Sequence, residues 1–182
     1  MNKKHLQALC ESAVLIALAF GLSFVEIQLG ASGGSINFTM LPLLVLAYRR
    51  GAGWAIGSGA VFGFIKCLVG GGLVWGLPSV LLDYVIAYAV VGVAGFFMKN
   101  MKLLEVGAVI GCIARYAIHT LSGVVLYAIT APTEVALLGT FSDPVIYSLA
   151  YNAVYMVPSS VVCVALLALL RPALKKMDKM FK

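Results

Sequence analysis

The last long apolar segment of the chain constrains the fold more than any other feature. It runs from Pro144 to Leu170 without one Asp, Glu, Lys or Arg. About 20 apolar residues suffice for a helix to cross the roughly 30 Å hydrocarbon core of a bilayer. The whole chain agrees, because 11% of its 182 residues are charged, against about 25% in soluble domains. We therefore predict an all-α integral membrane protein.

Six apolar segments follow one another, and we predict that they form six transmembrane helices of a single domain covering residues 1–182. The second is short for a span. The first is long enough to span and has no small-residue cleavage signal at its end, so we interpret it as a helix and not as a signal peptide. The predicted bounds are about 6–29, 38–48, 52–69, 77–98, 103–129 and 144–170.

Positive charge indicates the orientation of these helices. Of the 13 lysines and arginines, all but Lys66 and Arg115 lie at segment ends or in the C-terminal tail. In a six-span arrangement the basic clusters share one side, and no loop on the other side carries Lys or Arg. Because basic loops stay in the cytoplasm, both termini are predicted to be cytoplasmic. The net charge of +6 then reflects membrane topology, and we predict no nucleic-acid partner.

Two classes of site are missing from the sequence. The four cysteines show no ligand or disulfide spacing and the chain has only two histidines, so we predict no metal, no disulfide framework and no cofactor. No G-x-x-x-x-G-K-[ST] motif is present to bind ATP. If the protein concentrates a solute, a partner must hydrolyse ATP; otherwise it acts as a facilitator.

Ionisable and amide side chains inside the spans converge toward the outer side of the membrane. At about 1.5 Å per helical residue, Asp83 and Lys66 lie roughly 8 Å or less below the outer helix ends. His119 and Asn152 lie about 12–15 Å deep, and Arg115 lies deeper. Such residues are costly in a membrane and mark a functional site by default. We predict a cavity that opens outward.

Tyrosines accompany these groups. Tyr147 and Tyr151 are spaced by one helical turn, and Tyr84 and Tyr116 each adjoin an ionisable residue. Aromatic rings with a nearby carboxylate suit a small cationic solute, and Asn and His side chains can read a heteroaromatic edge by hydrogen bonds. We therefore predict a binding site for a small, polar, aromatic solute.

Structural interpretations compete with this one. Asp83 could instead form a structural ion pair with Lys66 or Arg115. Arg115 and His119, four residues apart, could satisfy each other internally, and a tyrosine stripe is often an interface anchor. An intramembrane enzyme using Asp83, His119 or Arg115 is a further alternative, although it would need a second acid or a metal cluster. A scaffold that works without partners is the last.

The first segment carries small residues four apart, at Ala13 and Ala17. Small residues let a second helix approach closely. This pattern predicts either a packing seam inside the bundle or a docking face for a partner. Glu11 lies near the inner end, where it is interpreted as interfacial.

Four motifs in this order and spacing resemble one family. They are GGSINFTMLPLLVLAYRRG (33–51), LLDYVIAYAVVGVAG (81–95), RYAIHTLSGV (115–124) and YSLAYNAVYMVP (147–158). The chain resembles the substrate-binding S-components of energy-coupling factor (ECF) vitamin transporters, most closely the thiamine-specific branch.

The resemblance implies a six-helix bundle in the bacterial cell membrane that binds extracellular thiamine. It implies docking through the small residues of helix 1 onto a transmembrane coupling subunit driven by two ATPases, so the chain itself is expected not to be an enzyme. It places Asp83 near the thiazolium of the ligand. It places His119, Tyr147 and Asn152 near the pyrimidine. It places Tyr84 and Arg115 at further positions of the pocket.

Two departures from the family pattern bear on the ligand. Some members have Glu where this chain has Asp83, and some line the pocket with tryptophans from the loops corresponding to 30–37 and 130–143, where this chain has none. Trp75, in the loop before the fourth helix, is the candidate substitute. A thiamine precursor such as a hydroxymethylpyrimidine, or a related vitamin, is therefore the alternative ligand.

Overall fold

The computed structural model describes residues 2–29, 34–98, 100–130, 134–135 and 138–180, in which helices predominate. The helices are α1 (Lys3–Leu22), α2 (Met40–Arg50), α3 (Ala52–Val69), α4 (Gly72–Phe97), α5 (Leu104–Thr130) and α6 (Pro144–Met180). Two antiparallel hairpins connect helices on the outer side. In the first, β1 (Glu26–Gln28) pairs with β2 (Ser35–Asn37), and in the second, β3 (Glu134–Val135) pairs with β4 (Gly139–Thr140).

The predicted helical membrane fold is confirmed. Among the described residues, five helices are long and apolar enough to cross a membrane: α1, α3, α4, α5 and α6. The sixth, α2, has 11 residues and lies inside the bundle, where Met40, Leu43, Leu44 and Leu46 are 0% exposed. Its short length is explained by its position, since neighbouring helices surround it.

The end of the first segment was predicted wrongly. The helix ends at Leu22, not near residue 29, because the Ser23 hydroxyl donates to the Phe20 carbonyl and the chain turns there. The strand that follows pairs Ile27 with Ile36. Exposed apolar side chains at Phe24, Val25 and Ile27 continue the hydrophobic run beyond the helix, which is why composition alone extended the segment. Of the predicted loop 30–37, residues 30–33 lie outside the described residues.

Two further helix boundaries, the start of α4 and the end of α6, also differ from the prediction. Helix α4 begins with a 3₁₀ turn at Gly72–Trp75, a stretch that was predicted to be loop. Helix α6 continues past the predicted end at 170 to Met180, because Leu174 is buried at 3% exposure and packs against the core. The basic tail is therefore largely a cytoplasmic extension of the last helix.

Close contact between α3 and α4 explains the glycines of α3. A Cβ atom at Gly59 would overlap the Tyr88 carbonyl oxygen, and one at Gly63 would overlap the Tyr84 carbonyl oxygen. Small residues that let backbones approach are typical of packing between membrane helices. This contact sets the position of the two tyrosines of α4.

Ion pairs hold the cytoplasmic ends of the helices together. Glu11 of α1 accepts from Arg49 and Arg50 at the end of α2, and Glu105 of α5 pairs with Arg171 of α6. Glu11 is thus a partner of the basic cluster at the inner end of α2.

The small residues of α1 lie on its outer face. Ala13 and Ala17 are exposed, whereas Ser12 and Ala19 turn inward and are buried. Within the described residues, the pair therefore forms no packing seam of the bundle. Of the two predictions for this pair of alanines, the docking face for a partner therefore remains.

Candidate substrate site

A cavity of about 410 Å³ lies between α3, α4, α5 and α6, next to β2. With the exception of Tyr116, the side chains predicted for the site line this cavity: Lys66, Trp75, Asp83, Tyr84, Arg115, His119, Tyr147, Tyr151 and Asn152. Its mouth is marked by Trp75, which is 50% exposed. The convergence predicted from helix depth is therefore observed.

Asp83 is held by two neighbours. Its Oδ1 lies 3.2 Å from His119 Nδ1, and its Oδ2 accepts from the Ser79 hydroxyl at 2.8 Å. The alternative ion pair with Lys66 or Arg115 is not formed. Because neither Lys66 nor Arg115 pairs with this carboxylate, its negative charge is available to a cationic ligand in the cavity.

Unusual helix geometry presents this carboxylate. Residues Val80–Ile86 of α4 form a π-helical stretch, and such stretches occur frequently at functional sites. The wider turn changes which residues share a face. Asp83 and Tyr84 of this stretch, and Tyr88 just after it, all line the cavity.

His119 has one ring nitrogen left for a ligand. Its Nδ1 faces Asp83, while Nε2 is buried and has no hydrogen-bond partner within the described part of the chain. Buried polar atoms are normally hydrogen-bonded. The edge of a heteroaromatic ring would satisfy this nitrogen.

Asn152 is fixed by a polar network between α5 and α6. Its amide nitrogen donates to the Ser148 carbonyl at 2.8 Å and to the His119 carbonyl at 3.2 Å. Its amide oxygen accepts from the Tyr155 hydroxyl. The helices approach closely at Gly123, where a Cβ atom would overlap the Ser148 hydroxyl. The network therefore fixes both the rotamer and the amide orientation of Asn152.

Tyrosines of α6 form an aromatic wall. The rings of Tyr147 and Tyr151 are stacked, with centroids 5.6 Å apart and an interplanar angle of 12°. Tyr155 meets Tyr151 edge to face, also at 5.6 Å. A planar ligand can extend such a stack.

Arg115 lies at the inner side of the cavity, over the ring of Tyr88. The guanidinium carbon is 4.0 Å from the ring centroid, and the residue is 6% exposed. The Tyr88 hydroxyl lies 3.4 Å from the Thr39 hydroxyl. The predicted internal network of Arg115 with His119 is absent, and a cation–π contact with Tyr88 takes its place.

The first hairpin closes one side of the cavity. Lys66 Nζ lies 3.6 Å from Glu26 Oε2, which also accepts from the Ser35 hydroxyl at 2.8 Å. The Gly34 amide donates to the Tyr151 hydroxyl at 2.8 Å. Burial raises the pKa of Glu26, but Ser35 and Lys66 outweigh this effect, so the pKa of its carboxyl lies below the ordinary value of 4.5. Glu26 thus neutralises Lys66, and Asp83 can act on a cation without competition from it.

One tyrosine predicted for the cavity lies elsewhere, and two residues of the site were not predicted. Tyr116 does not line the cavity, because it lies one position past Arg115 on α5 and donates to the Leu149 carbonyl instead. Tyr88 was missed although it follows Tyr84 by four residues, a spacing that could have indicated it. Ser79, whose hydroxyl holds Asp83, gives no signal in the sequence.

No cluster of three or more His, Cys, Asp or Glu side chains that could hold a metal ion occurs among the residues for which the structure gives positions. The cavity offers the Asp83 carboxylate, two cations of which Lys66 is neutralised by Glu26, a free imidazole nitrogen and five tyrosines, which favours binding of an organic cation.

The sequence profile of the thiamine transporter protein family matches residues 9–179. The chain belongs to this family. Similar proteins include the thiamine transporter ThiT of Bacillus subtilis strain 168. It is 34% identical over an alignment of 199 positions that covers 98% of this chain and 100% of the relative. ThiT of Lacticaseibacillus paracasei strain ATCC 334 is 31% identical over 190 residues, covering 94% and 91%.

Two solved structures share the fold of this chain. ThiT from Listeria monocytogenes superposes with a TM-score of 0.74 at 25% identity, covering 98% of this chain and 99% of that one. The S component of a bacterial ECF transporter superposes with a TM-score of 0.68 at 19% identity, covering 96% and 99%, and shares the fold. This member of the thiamine transporter family is therefore a multi-pass protein of the bacterial cell membrane and not an enzyme.

Proposed function

We propose that the protein binds extracellular thiamine in this cavity and delivers it across the membrane as the S-component of an ATP-driven ECF transporter. The observation that carries the proposal is the Asp83 carboxylate, fixed by Ser79 and His119 beside stacked tyrosines. Thiamine joins a cationic thiazolium to an aminopyrimidine, and these two halves require a carboxylate and a hydrogen-bonding aromatic pocket.

The cavity divides accordingly. Asp83 neutralises the thiazolium, and Trp75 and Tyr84 cover that end near the mouth. The His119 Nε2 atom and the second lone pair of the Asn152 amide oxygen bind the pyrimidine, which stacks against the wall of Tyr147 and Tyr151. Arg115 at the inner side gives the cavity a second polar end.

The energy comes from partner subunits. Ala13 and Ala17 dock the protein onto a transmembrane coupling subunit, and two ATPases drive that subunit. The support is the exposure of both alanines on α1 together with the fold shared with an S component. Small exposed residues on a membrane helix let a partner helix approach closely.

Uptake of radiolabelled thiamine into proteoliposomes tests the proposal. The protein alone is expected to bind thiamine without accumulating it, and accumulation should require the coupling subunit, the ATPases and ATP. Accumulation by the isolated protein would make it an autonomous carrier and refute the S-component role.

A thiamine precursor is the second candidate ligand. The chain has two tryptophans, and Trp54 lies near His5 at the cytoplasmic end, so Trp75 alone supplies an indole to the cavity. A neutral hydroxymethylpyrimidine would use the His119 and Asn152 end and leave Asp83 unused. A competition experiment between the two compounds distinguishes these ligands. If only a large excess of the pyrimidine displaces thiamine, thiamine is supported as the ligand.

A further inference from the structure

A second cavity, of about 500 Å³, runs along the outside of the bundle between α5 and α6. Its floor includes Cys112 and Met156, which are 4% and 2% exposed, and its rim includes Ile113 and Val161, which are 59% and 62% exposed. It shares no lining residue with the substrate cavity. This second cavity, the α5–α6 groove, is therefore apolar and separate from the substrate cavity.

The length of the groove matches one leaflet of the membrane. On α6 its lining extends from Met156 to Ala168, a distance of about 18 Å at 1.5 Å per residue. Half of the roughly 30 Å hydrocarbon core is about 15 Å. Because α6 starts outside and ends in the cytoplasm, the Ala168 end lies toward the inner surface. An acyl chain of the inner leaflet fits this length and position.

Basic side chains lie at the inner end of the groove. Arg171 follows Ala168 by one turn and pairs with Glu105 of α5, while its Nε atom is buried and has no partner in the described part of the chain. Lys175 follows Ala168 by about two turns, on the same face of α6, and is exposed. Among the side chains that the structure describes at this end, two cations, Arg171 and Lys175, stand against one carboxylate, Glu105, so the groove ends in net positive charge.

We propose that the α5–α6 groove binds one anionic phospholipid of the inner leaflet. One acyl chain lies between α5 and α6, and the phosphate meets Lys175 and Arg171. Basic pockets between membrane helices on the cytoplasmic side are sites for anionic headgroups. The apolar lining selects a lipid chain, and the uncompensated charge selects an anionic headgroup over a zwitterionic one.

Native mass spectrometry of the purified, delipidated protein tests this proposal with dioleoylphosphatidylglycerol and dioleoylphosphatidylcholine as probes. We expect one phosphatidylglycerol to be retained and phosphatidylcholine to bind more weakly. Lys175→Gln should weaken phosphatidylglycerol binding about fivefold. Lys176→Gln is the matched control, because Lys176 is also exposed but points about 100° away around the helix, and it should change little.

A second variant fills the groove itself. Ala165→Trp places an indole at a lining position and should abolish retention of the lipid. Should the indole disturb folding, seen as a lower thermal midpoint, the two lysine variants still decide. Equal retention of both lipids, equal effects of Lys175→Gln and Lys176→Gln, or a second protein copy displacing the lipid would each overturn the proposal.

Discussion

Replacing Asp83 by Asn removes the carboxylate charge of the substrate cavity while leaving its shape. Asn keeps a hydrogen-bonding group toward Ser79 and His119, so the change is mainly electrostatic. Opposite charges about 4 Å apart interact by roughly 4 kcal/mol at an effective dielectric constant of about 20. The side chain is 21% exposed, so we expect solvent to reduce this to about 2–4 kcal/mol, a 30- to 1,000-fold loss of thiamine affinity.

Two ligands separate charge from shape in this experiment. Calorimetric titration of the Asp83→Asn protein should show the full loss for thiamine and less than about a fivefold loss for the neutral hydroxymethylpyrimidine, which carries no cation. Asp83→Glu keeps the charge and is the control, with a smaller loss caused by the added methylene group. Equal losses for the two ligands would refute the counter-ion role of Asp83.

Three further variants test other parts of the account. Ala13→Trp should spare thiamine binding and abolish partner-dependent uptake, because the indole blocks the exposed face of α1. Gly63→Ala should destabilise the protein by about 1–3 kcal/mol through overpacking against α4, measured as a lower thermal midpoint, and should weaken thiamine binding. Glu26→Gln should lower the thermal midpoint at pH 7. This difference from the wild type should be full above pH 4.5 and decline below it, because the depressed pKa keeps Glu26 ionised to lower pH in the folded state.

Each of these variants has its own control. Leu169→Trp places an indole at a position of α6 that is 76% exposed, and uptake should persist. Gly57 lies on the same helix as Gly63 with nothing within 4 Å of its Cβ position, so Gly57→Ala should be neutral. Uptake by Ala13→Trp, equal destabilisation by the two glycine variants, or a Glu26→Gln effect that does not change with pH would contradict the respective reasoning.

The spans and their orientation were predictable from the sequence because the bilayer imposes length and apolarity on every crossing segment. The charge pattern adds direction, as the cluster at Arg49 and Arg50 shows. The end of α1 was not predictable in this way. Phe24, Val25 and Ile27 are as apolar as a helix in lipid, yet the first two lie in the turn after α1 and Ile27 lies in β1. The pairing of β1 with β2 ends the helix there, and the local sequence does not show it.

The residues of the candidate site were predictable from the sequence, but the contacts that each of them makes were not. Polar residues in spans are few, so Asp83, His119 and Asn152 indicated a shared cavity from depth alone. Which partner each selects depends on helix rotation. Packing of α4 against α5 brings Asp83 to His119, and the hairpin brings Glu26 to Lys66. Both effects arise from packing between distant segments, which local sequence does not encode.

Calorimetric titration of the purified, detergent-solubilised protein with thiamine tests the central claim most directly. The cavity predicts one site per chain that binds thiamine, and much weaker binding of the hydroxymethylpyrimidine. The absence of a heat of binding with thiamine, or tighter binding of the pyrimidine, would contradict the assignment of thiamine as the ligand.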